Sequence, residues 1–244
     1  MGNTLAKAAL FEGDRLIHYR GAIEWEAILQ LTQDYQPSFV MLASVASPEV
    51  LSDWAEALKH YSQVFVLTAK IPLPFSNHYE TPHSLGADRL AGVAGAEKLY
   101  PGQACLVIDI GTSITYDYMD EARQYWGGAI SPGMHMRFKA LHRFTARLPL
   151  LEPLSSEPPD LLGRNTQSAM LSGVINGISL ELEGMIAAYR AKFGNFAVIV
   201  TGGDAVFFET KIKEKIFVIP KLILIGINRI LEYNVASGFK NHKE

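Results

Sequence analysis

Short apolar runs alternate with amphipathic stretches along the whole chain. Leu5 to Phe11 alternates small and large residues, Gly13-Asp14 offers a turn, and Arg15 to Ile23 returns as a second strand. Trp25 to Tyr35 carries apolar residues at helical spacing, with Glu24 and Glu26 where a helix dipole favours acids. Phe39 to Val45, bounded by Pro37 and Pro48, is a short apolar run and predicts a buried strand. Pro48 to Tyr61 predicts a helix, with Ser47 as N-cap and Pro48 at the first helical position. Val64 to Thr68 predicts another buried strand. After the polar loop IPLPFSNHYETPHS comes a helix of small residues from Leu85 to Leu99, stopped by Pro101-Gly102.

The pattern then restarts. Ala104 to Ile110 predicts a buried strand, and Thr112 to Met119 with Gln124 to Ile130 a hairpin. A helix is expected over Gly133 to Phe144, and LPLLEPLSSEPPD, with four prolines, reads as a mobile connection. A long helix follows from Thr166 to Phe193, then a strand over Phe196 to Val200, the turn TGGD, and a final apolar helix from Leu222 to Tyr233 that packs as a core element. Each half opens with a Gly-Thr hairpin and continues in helices and strands. The expected class is α/β, built from a duplicated unit, with domains at 1-101 and 102-244.

Composition narrows the functions available. With 244 residues, 48% hydrophobic and 19% charged, the chain can bury a sizeable core. A net charge of -3 and the absence of a Lys/Arg cluster argue against nucleic-acid binding. The single cysteine, Cys105, lies in the apolar run CLVIDI and has no partner for an internal disulfide, so a reducing, cytoplasmic setting is expected. No charge-free apolar segment is long enough to span a membrane, and the N-terminus lacks a signal-peptide layout.

Neither G-x-x-x-x-G-K-[ST] nor G-x-G-x-x-G occurs, which disfavours both common phosphate-binding loops. Two hairpin turns, one per half, offer another way to hold a nucleotide. Each supplies backbone N–H groups and a Thr hydroxyl, Gly permits close approach, and an Asp ending the leading strand can hold a cation. Asp109, Gly111 and Thr112 fit those roles in the second half, while the first half has only Gly2, Asn3 and Thr4. A single such turn is as well explained as a plain hairpin turn; its recurrence favours the phosphate reading. TGGD at Thr201 to Asp204 can seat an adenosine or be an ordinary strand-to-helix turn. GGAISPG, Gly127 to Gly133, can be a ligand loop or merely a hairpin end and helix start. Asp88 and Arg89 can accept a hydroxyl proton and grip an anion, or serve a helix start with the Arg solvated. His78 and His83 lack a third ligand for a metal, and His135 and His142 call for the same restraint.

Taken in order, these segments resemble the type III pantothenate kinases of the acetate and sugar kinase/Hsc70/actin superfamily. The resemblance rests on GNT at 2–4, Y-x-x-P-x-x-L-G-A-D-R from Tyr79 to Arg89, and D-I-G-T from Asp109 to Thr112. It continues through G-G-x-I-x-P-G from Gly127 to Gly133, N-T-x-x-A from Asn165 to Ala169, and T-G-G at 201–203. It implies two duplicated ribonuclease H-like (actin-like ATPase) domains with mixed sheets flanked by helices. It further implies ATP-dependent phosphorylation of the primary hydroxyl of pantothenate, the first step of coenzyme A synthesis. By similarity Asp88 is the proton acceptor, and Tyr79, Gly86, Ala87, Asp88, Arg89 and Thr166 bind pantothenate. Gly2, Asn3, Thr4, Leu5, Ala6, Lys7 and Thr112 would contact ATP. Asp109 would bind a monovalent cation, K+ or NH4+, with Mg2+ accompanying ATP, in a homodimer.

One departure stands out. Family members open with an apolar strand ending in D-x-G-N-T, whereas here Met1 directly precedes Gly2. The resemblance therefore implies that the first strand and its Asp have no counterpart. Either the recorded start lies downstream of the native one, the reading favoured, or the chain is natively short with weakened ATP binding. The competing function is a non-catalytic homologue that binds pantothenate or a nucleotide and acts through protein contacts. A third is a kinase of another small hydroxy acid or sugar.

Overall fold

An order of hairpin, helix, strand, helix, strand, helix occurs twice in the structure, a computed structural model that describes residues 6–43, 48–152 and 159–238. The first round comprises β1 (Ala6–Glu12), β2 (Arg15–Ile23), α1 (Trp25–Tyr35), β3 (Phe39–Leu42), α2 (Pro48–Leu58) and β4 (Gln63–Val66). The two-residue strand β5 (Ser76–Asn77) and α3 (Ala87–Leu99) complete it. The second begins with β6 (Cys105–Ile110), β7 (Ser113–Met119), β8 (Gln124–Pro132) and α4 (Met134–Arg143). There α5 (Thr166–Leu171) passes through a π-helical turn at Ser172–Asn176 into α6 (Gly177–Phe193). The round closes with β9 (Ala197–Thr201), α7 (Ala205–Glu209), β10 (Phe217–Val218) and α8 (Leu222–Ala236). The α/β class and the repeated unit expected from the sequence are both present.

In the second unit the strands β10-β9-β6-β7-β8 form one continuous sheet, with β6 at its centre. β6 pairs antiparallel with β7 and parallel with β9, which places Thr201 beside Asp109. CLVIDI is apolar at nearly every position because a central strand is covered on both faces. On one face Leu106, Ile108, Ile110, Tyr116 and Tyr118 meet Met134 and Phe138 from α4, Ile178, Leu182 and Ile186 from α6, and Phe208 from α7. Fully burying each of the large aliphatic or aromatic side chains stabilises the unit by ~1.5–3 kcal/mol. Cys105 is buried, and that burial pushes its thiol up to about 12, so it is inert at neutral pH.

In the first unit β1–β2 is an antiparallel pair, and β3–β4 is a separate parallel pair. Ala55, Leu58 and Val64 are buried together, with Trp25, Leu29, Val40, Leu42 and Val66 packed against them. Trp25 stacks on Trp54 at 4.8 Å and 12° between ring planes. The chain leaves α1 through Gln36 in a left-handed conformation just before Pro37, which cannot continue a helix.

The described residues divide into a unit reaching Leu99 and resuming at Leu222, and a second unit from Tyr100 to Lys221. The sequence boundary assigned everything after residue 101 to one domain, so α8 departs from that expectation. The reason lies in two glycines. A Cβ on Gly226 would lie 1.7 Å from the Ala91 carbonyl oxygen, and one on Gly95 2.6 Å from that of Leu222, so α3 and α8 pack backbone to backbone. Polar contacts add to this: Arg229 Nε donates to Glu97 Oε2 at 2.8 Å, and Lys98 bridges to Asp14 at 2.6 Å and Glu232 at 3.4 Å. Asn228 Nδ2 also donates to the Gly13 carbonyl at 3.1 Å, tying α8 to the first hairpin turn.

The expectations that fall on residues 1–5, on Ser47 and on 153–158 lie outside the described residues. Among these are the implied absence of a first strand and the roles of Gly2, Asn3, Thr4 and Leu5. No helix of the described residues is long and apolar enough to cross a membrane.

Candidate functional site

The G-A-D-R segment is built around the start of α3. Pro82–Ser84 makes a short 3-10 turn, Leu85 is extended, and α3 begins at Ala87. Asp88 sits in the first turn, where the positive end of the helix dipole favours a carboxylate. Its Oδ1 accepts the Arg89 backbone N–H at 2.9 Å. A Cβ on Gly86 would stand 2.3 Å from that oxygen, so glycine leaves room for the carboxylate to fold back over the helix start. Asp88 itself is exposed, and the next residue is the reverse: Arg89 is only 6% exposed. The Arg89 guanidinium lies over the Tyr79 ring at 5.2 Å from its centroid, and the Tyr79 N–H donates to Asn77 Oδ1 at 3.0 Å. The alternative of a solvated Arg is overturned by this burial. Tyr79, Gly86, Ala87, Asp88 and Arg89 thus form one local constellation.

A second constellation lies at the carboxyl ends of β6 and β9. The β6–β7 turn closes with the Gly111 N–H donating to the Ser113 carbonyl at 3.0 Å, and Thr112 at its tip is exposed. Asp109, the penultimate residue of β6, pairs with Thr201 at the end of β9. Gly202 has φ +102°, and a Cβ there would lie 2.4 Å from Asp109 Oδ1 and 2.4 Å from the Ile110 carbonyl oxygen. Only glycine combines that backbone with that closeness. The Asp204 N–H donates to the Ile110 carbonyl at 2.9 Å, so the TGGD turn is fastened to the D-I-G-T strand. Thr201 is fully buried, and among the described residues its Oγ1 has no hydrogen-bond partner. From the other side the Gly133 N–H donates to the Thr112 carbonyl at 3.0 Å, and a Cβ on Gly133 would sit 2.0 Å from the Gly111 oxygen. Three motifs separated in sequence, D-I-G-T, G-G-x-I-x-P-G and T-G-G, therefore meet at one place. Of the first hairpin, Ala6 is buried and Lys7 exposed.

Burial raises the Asp204 carboxyl above its ordinary range, opposed by His135, whose Nε2 lies 3.8 Å away. His142 is likewise occupied locally, with Nδ1 2.8 Å from the Leu148 carbonyl oxygen. The described residues contain no group of three or more His, Cys, Asp and Glu side chains placed to hold a metal.

Thr166 stands at the first position of α5. Asn165 caps that helix in a reciprocal capping box with Ser168. The Thr166 side chain lines an open cavity of about 870 Å³ together with Leu141, Phe144, Leu148, Met170 and Arg137. The loop before it is held to the π-helical turn, with Ser172 Oγ donating to the Leu161 carbonyl at 2.7 Å and Asn176 Nδ2 to that of Pro159 at 3.2 Å. Sequence reading passed over Arg137, Ser131 and Glu181, a polar cluster under the G-G-x-I-x-P-G segment. The only local signal was the pair of acids Glu181 and Glu183 in a largely apolar helical stretch.

A family model described as type III pantothenate kinase matches residues 1–188. The type III pantothenate kinase of Christiangramia forsetii is 44% identical over 238 residues, covering 96% of each chain. That of Cytophaga hutchinsonii is 43% identical over 235 residues, covering 96% of this chain and 97% of its own. Among solved structures, a conserved Baf family protein from Campylobacter jejuni superposes with a TM-score of 0.61 at 21% identity. That match covers 89% of this chain and 92% of the other, and shows likeness of fold alone. The family model over residues 1–188 and the identities of 44% and 43% over nearly full length show that the chain belongs to the type III pantothenate kinase family.

Proposed function

We propose that Asp88 accepts the proton of the primary hydroxyl of pantothenate as that hydroxyl takes the γ-phosphoryl group of ATP. As a type III pantothenate kinase the chain is an ATP-dependent phosphotransferase of coenzyme A synthesis. The carrying observation is the contrast at the start of α3, an exposed carboxylate next to a buried guanidinium. The carboxylate is open to a substrate hydroxyl. The guanidinium, packed on Tyr79, offers a pre-oriented fork to the pantothenate carboxylate.

Phosphoryl transfer asks for positioning and charge neutralisation more than for covalent chemistry. The cradle of Asp109, Gly111, Thr112 and Gly202 suits the phosphates, with backbone N–H groups and a hydroxyl on the turn. Its donors fit a hard cation: Asp109 supplies a carboxylate, and the partnerless, buried Thr201 Oγ1 supplies a neutral oxygen. On this reading Asp109 holds K+ or NH4+, Mg2+ accompanies ATP, and these ions neutralise phosphate charge. Gly2 to Lys7 and Thr166 take the ATP and pantothenate contacts that their motifs suggest.

The cavity beside Thr166 and the exposed Phe144, Leu161 and Leu162, at 85%, 82% and 75% exposure, support a homodimer through this apolar face. A reducing cytoplasm is the setting that the free Cys105 supports.

The test is ADP release from the whole chain with pantothenate, with and without K+, beside a panel of other hydroxy acids and sugars. Pantothenate-dependent, K+-stimulated turnover is expected. Nucleotide binding without turnover on any acceptor would favour a non-catalytic homologue. Turnover on another acceptor alone would assign a different substrate.

A further inference from the structure

We infer that Glu181, through Ser131 and Arg137, is a positioning residue for the phosphate-binding turn. The inference rests on the reading of the D-I-G-T turn as the phosphate site. Between β8, ending at Pro132, and α4, starting at Met134, only Gly133 intervenes, and it abuts Gly111 and Thr112. A junction pressed so closely on a ligand turn needs fixing, and one carboxylate takes hydrogen bonds from both sides of it. On the strand side, Ser131 Oγ donates to Glu181 Oε1 at 2.5 Å. On the helix side, the Arg137 guanidinium donates to Glu181 Oε2. Arg137 also spans the junction, its Nε donating to the Pro132 carbonyl at 2.8 Å. The same Glu181 Oε1 accepts Tyr116 Oη at 2.9 Å, which references the clamp to β7, the second strand of the D-I-G-T hairpin.

Each link has a direct mechanical consequence. Strand register sets Ser113 opposite Pro132 and Ile114 opposite Ser131, so a shift at Ser131–Pro132 is transmitted to the residues just after Thr112. The Gly133 N–H bond to the Thr112 carbonyl transmits it to the turn itself. Glu181 lies on α6, a long helix whose Ile178, Leu182 and Ile186 are anchored in the core. A charge-assisted set of hydrogen bonds from such a support holds geometry more tightly than apolar packing alone. Arg137 also lines the cavity that holds Thr166, so the clamp borders a second predicted substrate contact without being part of it.

The experiment is steady-state ADP release by the full chain, with KM for ATP, KM for pantothenate, kcat and Tm measured on each variant. Glu181→Ala is expected to raise the KM for ATP about tenfold while KM for pantothenate stays within about twofold. Glu181→Gln, which keeps the acceptor for Tyr116 and Ser131, should recover most of that loss. Ser131→Ala should show a smaller shift of the same kind. A lowered Tm with unchanged KM for ATP, or an equal rise in both KM values, would overturn the positioning role. Should Glu181→Ala fail to fold, Glu181→Gln carries the test: a few-fold rise in KM for ATP at near-normal Tm supports the clamp, and no rise overturns it. Thr112→Ala serves as the separate reference. If it leaves the KM for ATP unchanged, the phosphate reading of the turn fails whatever Glu181 does.

Discussion

The two units use one order of elements, yet they hold their chemistry differently. In the C-terminal unit β6 stands between β7 and β9, the sheet is continuous, and its central residues are buried. In the N-terminal unit no strand among the described residues stands between β1 and β3, and the two pairs are separate sheets whose residues are mostly half-buried or exposed. The site residues follow this division. Asp109 and Thr201 lie near the ends of adjacent central strands, so the turn proposed to hold phosphate inherits the rigidity of the sheet. Asp88 and Arg89 are carried instead by α3, which is locked to α8 through glycines and the Arg229–Glu97 pair. The proposed cradle on the sheet and the proposed base on the helix can therefore be perturbed separately.

The largest perturbation of the cradle is Gly202→Ala. A Cβ within 2.4 Å of both Asp109 Oδ1 and a backbone oxygen, at φ +102°, combines overpacking with backbone strain. Together these cost about 2–5 kcal/mol. Nucleotide titration should show binding weakened at least about 30-fold; near-normal affinity would mean that the T-G-G turn does not shape the site. The corresponding lesion in the helix-borne half is Gly226→Ala, with a Cβ 1.7 Å from the Ala91 oxygen. Forcing α8 off α3 should cost ~1–3 kcal/mol and lower the Tm by several degrees. An unchanged melt would show that the close approach is not needed.

Hydrogen exchange measures the contrast without mutation. Amides of β6 should be the slowest to exchange, and those of β1 and β3 at least about tenfold faster, because edge strands open locally. Equal protection in both units would contradict the contrast.

The smallest effect is on the acid side of the stability curve. Burial alone would raise the Glu181 carboxyl, but hydrogen bonds from Arg137, Ser131 and Tyr116 outweigh it and leave it below the ordinary 4.5. A folded value below the unfolded one means that this carboxylate stabilises the fold above about pH 4.5 and that the contribution is lost as pH falls further. Because the side chain is 25% exposed, the effect is modest. Melts between pH 6 and pH 3 should show a shallower acid decline in Glu181→Gln than in the parent protein. Identical slopes would count against the ionised clamp.

The sequence made the turn chemistry legible because glycines, prolines and capping residues act locally. The D-I-G-T turn and the start of α3 could be placed from a few neighbouring residues. What stayed hidden depends on residues far apart in the chain. Gly226 reads as an ordinary helix weakness until Ala91 is known to lie against it, so the return of α8 to the first unit could not be foreseen. Whether Arg89 is solvated or packed could not be read locally, because its burial over Tyr79 arises from folding of the intervening turn. Glu181 gave no motif, since its partners lie on β7, β8 and α4. The long helix over 166–193 was legible as helix, whereas its π-helical turn, held by side-chain bonds back to 159–161, was not.

The most direct test of the account is to measure kcat and nucleotide affinity together on Asp88→Asn. The separation of a helix-borne base from a sheet-borne phosphate cradle predicts a loss of at least about 100-fold in pantothenate-dependent kcat, with nucleotide Kd unchanged within about twofold. Retention of most of kcat would remove Asp88 from the chemistry, and a parallel collapse of nucleotide binding would contradict the separation itself.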